Sequence, residues 1–151
     1  MNIQDAAAWL RRVFVYKPDK GESWQIMKRN KVIGVSDFKL FGDCEDFALT
    51  LLHAIADGSK VKFWFYLITF QAVLWHCKTA GGEQHVQLWF RGKWIDNIYP
   101  TWDDKHRHSL RFPYPFPLVA YRMATYMLSR WQSGALLVAI CAMPLVWSYI
   151  K

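Results

Sequence analysis

"GDCEDFALTLLH", residues 42–53, decides how the rest of the chain is read. Asp43 suits a helix N-cap, and Asp46, three residues on, occupies the partner position of a capping box. Phe47, Leu51, Ala54 and Ile55 then recur at helical spacing, and Gly58 supplies a stop. The pattern predicts a helix over about residues 43–57 with Cys44 in its first turn. A thiol placed there is chemically ambiguous. A helix N-terminus favours the thiolate, whereas Asp43, Glu45 and Asp46 oppose it unless their charge is directed at orphan backbone N–H groups.

Working outward, Ile3, Ala6, Ala7, Leu10, Val13 and Phe14 describe an amphipathic helix within Met1–Tyr16, broken by "KPDKGES" at 17–23. A short helix is expected over Trp24–Lys31, followed by an irregular or partly extended run to Gly42. Downstream, Val61–His76 is long, aromatic and β-branched, and reads as a strand buried on both faces. After the turn "KTAGGE", the runs "HVQLWF" and "WIDNIY" flank "RGK" and read as a hairpin. Its ladder sets Val86–Phe90 opposite Lys93–Asn97, so His85 and Asp96 meet within a residue or two of register. The expected fold class is α+β, with a helix preceding three or more antiparallel strands.

The chain has 151 residues, enough to bury one core without disulfide staples. Its cysteines, Cys44, Cys77 and Cys141, are odd in number and irregularly spaced, and no basic-then-apolar leader opens the chain. Both features point to a reducing compartment. Lys and Arg outnumber Asp and Glu by 19 to 12, yet they are scattered and accompany no nucleic-acid-binding motif, so nucleic acid is not an expected partner. The abundant Trp, Phe and Tyr suit an aromatic core, a membrane-contacting surface, or both.

The expected organisation is a domain over residues 1–110, a Pro-rich connector and amphipathic segment over 111–130, and an apolar helix over 131–151. Prolines at 113, 115 and 117 favour an extended connector. Residues 131–150 carry no charge and are long enough to cross a bilayer, with Arg122, Arg130 and Lys151 flanking them and Trp131, Trp147 and Tyr149 at the interfaces. A membrane anchor facing the catalytic domain to the cytoplasm is one reading. A buried C-terminal helix is the other, supported by Gln132, Ser133, Pro144 and Ser148.

Chemistry concentrates in Cys44, His85 and Asp96. An imidazole can take the thiol proton, and a carboxylate on the far ring nitrogen fixes the tautomer and supports the imidazolium. In both blocks, "GDCEDFALTLLHAI" and "HVQLWFRGKWIDNIYP", the chain resembles bacterial transglutaminase-like cysteine peptidases, over about residues 24–100. The resemblance includes Trp94 two residues before Asp96, and Asn97 after it. It implies a papain/transglutaminase-like core, with Cys44 as nucleophile, His85 as general base and acid, and Asp96 as orienting carboxylate. Trp24 and Gln25 are the candidates for a side-chain oxyanion donor beside the Cys44 N–H. The implied activity is amide hydrolysis of a protein or peptide substrate through an acyl-enzyme, without cofactor.

Many family members bind calcium through acidic residues near the site. With no leader in this chain, no metal is carried over, although Asp43, Glu45 and Asp46 would be the ligands. The short length and apolar ending resemble compact versions in tailed-phage genomes, which implies a phage protein acting in the bacterial host. The alternative is a catalytically inactive protein of the same fold, structural or interacting, associated with a membrane or virion. Among other candidates, His76 and Cys77 with His85 would suggest zinc, but adjacent residues alternate across a strand and no C-x-x-C or H-x-x-x-H pair supports them, so they read as strand residues. His53 lies too far along its helix to serve Cys44 and is expected to be half-buried. His106 and His108 lie in a polar loop beside Asp103 and Asp104 and are expected to be solvated. Cys141 reads as packing.

Overall fold

The structure, a computed structural model, describes residues 2–18, 24–27 and 38–130. It is a mixed α+β fold in which helices pack on an antiparallel sheet. Helix α1 (Ile3–Val13) starts at Asn2, whose side chain accepts from the Asp5 N–H, and buries Ala6, Ala7 and Leu10. It passes directly into β1 (Phe14–Tyr16), which pairs in parallel with β2 (Leu40–Gly42). This short pairing delivers the chain to α2 (Cys44–Ile55). Asp43 is its N-cap and accepts from the Asp46 N–H, and Asp57 and Gly58 adopt positive φ beyond its end.

The expected strand over Val61–His76 is corrected. Lys60–Ile68 is a helix, α3, capped by Ser59, and only from Ala72 does the chain become extended, as β3 (Ala72–Lys78). Phe63 and Leu67 are buried while Val61, Phe65 and Ile68 are exposed. The apolar period is therefore four rather than two, and packing against the core outweighs the strand preference of individual aromatic and β-branched residues.

The sheet has the order β5-β4-β3-β6, from β4 (Gln84–Phe90), β5 (Lys93–Ile95) and β6 (Ser109–Tyr114). The hairpin register agrees with expectation: Phe90 opposes Lys93, Trp89 opposes Trp94 and Leu88 opposes Ile95. Arg91 and Gly92 both have positive φ, the requirement of a two-residue primed turn. The connector expected after residue 110 is extended, but it is the edge strand of this sheet, with a register shift opposite His76 and Cys77. Pro113 is tolerated because an edge strand can do without one ladder donor.

Residues 116–130 form a further helix, α4. Pro117 falls in its first turn, where no intrahelical donor is required, and the Pro115 carbonyl accepts from Leu118 and Val119. Trp24–Met27 is not helical, contrary to expectation, while residues 28–31 lie outside the described residues. The expected apolar helix over 131–151, including Cys141, lies outside them as well. Among the described residues, no helix is long and apolar enough to cross a membrane.

Candidate functional site

The N-terminus of α2 rests on β4. Among the described residues, β5 pairs with β4 only over Leu88–Phe90. The backbone N–H of Val86, the residue that follows His85, is near enough to the Cys44 sulfur to favour its thiolate. Cys44 is buried, at 8 % exposure.

The first turn of α2 is held from below by polar contacts. Asp46 Oδ1 accepts from the Gln25 N–H at 2.9 Å, and Thr50 Oγ1, one turn later, accepts from the Met27 N–H at 2.8 Å. Two side chains spaced i, i+4 thus satisfy the backbone of an extended segment as a strand would. Gly42 is required by this packing. A Cβ there would lie 2.6 Å from Asp46 Cβ and 2.8 Å from Met27 Sδ.

This arrangement settles the electrostatics of the thiol. Cys44 donates to Glu45 Oε2 at 2.9 Å. Burial, followed by the charge and hydrogen bond of Glu45, pushes the thiol far above its ordinary range, and the Val86 N–H only partly opposes them. Asp43 is itself pushed up to about 8, by burial and by the neighbouring Glu45 and Asp46 carboxylates. Burial and Glu45 act in the same direction, and both favour the protonated thiol.

At the other end of the site, Asp96 is 1 % exposed and fully engaged. Its Oδ1 accepts from the N–H groups of Ile98 at 2.8 Å and Tyr99 at 2.7 Å. Its Oδ2 accepts from Gln87 Nε2 at 3.0 Å and faces His108 Nε2 at 3.1 Å. His85 Nε2 lies 3.7 Å from Oδ1, too long for a hydrogen bond, and among the described residues this buried nitrogen has no other partner. Burial alone would raise the Asp96 carboxyl, but the facing His85, the Tyr99 N–H and His108 bring it below the usual carboxylate range.

His108 corrects the expectation of a solvated loop histidine, being only 6 % exposed. The charged loop before it folds back on β5: Trp94 and Asp103 exchange backbone hydrogen bonds, Arg107 pairs with Asp103, and Lys93 pairs with Asp104. The loop satisfies its own charges and thereby delivers His108 to Asp96. His106 remains exposed, as expected. Burial lowers the His108 pKa, partly offset by Asp96. Gln87 was also not anticipated, although a signal existed, since it shares a strand face with His85 and by ladder register opposes Asp96.

The two oxyanion candidates separate. Gln25 Nε2 donates to Asp46 Oδ2 at 3.3 Å and its Oε1 accepts from Tyr126 at 2.7 Å, so its amide is committed. Trp24 is buried with its indole ring edge-on to Tyr114, and its Nε1–H has no partner among the described residues. His53 is half-buried on α2, and His76 and Cys77 are strand residues, as expected. Burial pushes the Cys77 thiol up to about 12, and it donates to the His85 carbonyl.

The structure therefore brings His85 and Asp96 into one buried cluster and adds Gln87 and His108 to it, with Cys44 buried at the start of α2, the helix that packs on β4. No family model matches this chain, and no curated protein or solved structure matches it.

Proposed function

We propose that the protein is a thiol hydrolase acting on an amide of a protein or peptide, through Cys44, His85 and Asp96, on a papain/transglutaminase-like core. The observation that carries this reading is a buried His85 whose Nε2 faces the anchored Asp96 carboxylate, on the strand whose Val86 N–H favours the Cys44 thiolate at the start of α2. The Cys44 thiol passes its proton to His85, and the sulfur attacks the amide carbon. The oxyanion so formed is held by the Cys44 N–H, a first-turn donor that the helix cannot satisfy, and by the indole N–H of Trp24, which has no partner among the described residues. Collapse breaks the C–N bond, and the amine leaves with the proton held by His85. Water, deprotonated by His85, then releases the acid from the thioester.

The Glu45 hydrogen bond belongs to a resting arrangement in this reading. Turning the flexible Glu45 side chain away removes both the acceptor of the thiol proton and the nearest opposing charge. Asp96, locked by Gln87, His108 and two backbone N–H groups, holds its position throughout.

A second reading, a catalytically silent protein of the same fold, is favoured by that Glu45 contact, because a permanently protonated thiol is a poor nucleophile. p-Nitrophenyl acetate separates the two. The enzyme reading expects a burst of nitrophenolate and an acetyl thioester on Cys44, detected by intact and peptide mass spectrometry and lost in Cys44→Ala and His85→Ala. Acetylation confined to lysines or to Cys77 sinks the enzyme reading and leaves the silent one.

A further inference from the structure

We infer that His85, Asp96 and His108 form a binding site for a first-row divalent metal ion, with zinc as the fitting probe. One ligand atom from each of the three residues lies within 4.8 Å of the other two, and all three residues are buried. The two imidazoles present the same nitrogen, Nε2, to the two oxygens of one carboxylate, at 3.1 Å from His108 and 3.7 Å from His85. Ligand atoms about 2.0–2.2 Å from a tetrahedral zinc ion lie about 3.3 Å from one another. The two imidazole–carboxylate spacings bracket that value, and all three ligand atoms lie within 4.8 Å of one another.

His85 supplies the independent indication. Among the described residues its buried Nε2 has no partner, while it is aimed at a carboxylate just beyond hydrogen-bonding reach. A buried nitrogen in that position forgoes a hydrogen bond, a deficit that an ion between the two groups removes. The surroundings suit a metal site as well: Gln87 Nε2 steadies Oδ2, and the Ile98 and Tyr99 N–H groups steady Oδ1, the kind of outer contacts that orient ligands. Two imidazoles and a carboxylate match the ligand preferences of zinc, and three protein ligands leave a fourth position for water.

The site does not depend on Cys44 being a nucleophile. It bears on that chemistry all the same, because a bound ion occupies the His85 nitrogen that otherwise faces Asp96, so metal binding and thiol activation exclude one another.

The test is a titration of the full chain with zinc chloride, followed by histidine-selective ¹⁵N NMR and by competition with a chromophoric chelator. One equivalent should shift the ring resonances of His85 and His108 while sparing those of His53, His76 and His106. His108→Gln, verified as folded by circular dichroism, should lose more affinity than the roughly 10–100-fold that removal of an outer contact costs. His53→Gln should bind as the unmodified chain does. Absence of binding at millimolar zinc, shifts at His53, His76 or His106 instead, or unchanged affinity in His108→Gln would each overturn the inference. Because the NMR readout needs no variant, failure of His108→Gln to fold does not blunt it.

Discussion

Two aspartates of the site, the buried Asp96 and the half-buried Asp43, behave in opposite ways. Asp96 is surrounded by donors, namely two imidazoles, an amide and two backbone N–H groups, and its carboxyl is held below the usual range. Asp43 shares the first turn of α2 with Glu45 and Asp46, and its carboxyl is pushed up to about 8. Burial penalises both charges. What differs is whether the neighbours supply donors or further negative charge, and this makes one end of the site rigid and the other electrostatically tense.

The largest effect is expected at the rigid end. Asp96→Ala leaves Gln87, His108 and two backbone N–H groups without their acceptor, and should cost about 3–5 kcal/mol in chemical denaturation. A loss below about 1 kcal/mol would remove the contrast between the two ends. At the tense end, Asp46→Ala should cost less, about 2–3 kcal/mol, by orphaning the Gln25 N–H and amide. Gly42→Ala, which drives a Cβ against Asp46 and Met27, should fall at about 1–3 kcal/mol.

The pH dependence of stability sharpens the same comparison. Asp43 has a folded pKa of about 8 against about 3.9 unfolded, so its contribution is present below the unfolded value and is lost as pH rises through the folded one. Asp96 has the opposite sign: its contribution is present above the unfolded value and disappears as pH falls through the lowered folded one. Asp43→Asn should therefore flatten the decline between about pH 4 and 8 while leaving the acid limb intact, as read from denaturation midpoints across pH. The smallest stability effect is expected from Glu45→Gln, within about 0.5 kcal/mol, since Glu45 is partly exposed.

Much of this was legible in the chain. The α2 cap, the Cys44 position and the hairpin register came from local rules that the tertiary fold does not override: an N-cap, a stop glycine and a two-residue turn. The segment Val61–His76 was misread because its residues prefer strands individually while their burial follows a helical period. His108 was misread because a polar loop is ordinarily solvated, whereas this one pairs Asp103 with Arg107 and Asp104 with Lys93 and so encloses its last histidine. The balance between carboxylates and helix terminus at Cys44 could not be decided without knowing where the Glu45 side chain points, and it points at the sulfur.

The central claim is that Cys44 is a nucleophile served by His85 and restrained by Glu45. The most direct measurement is the rate of Cys44 carbamidomethylation by iodoacetamide at neutral pH, site-resolved by mass spectrometry, in Glu45→Gln and in Glu45→Gln with His85→Ala. In the single variant Cys44 should react faster than in the unmodified chain and faster than Cys77, by about tenfold for each unit its pKa falls, and the gain should vanish when His85 is removed. Equal labelling of Cys44 and Cys77 in Glu45→Gln, or a rate indifferent to His85, would contradict the account.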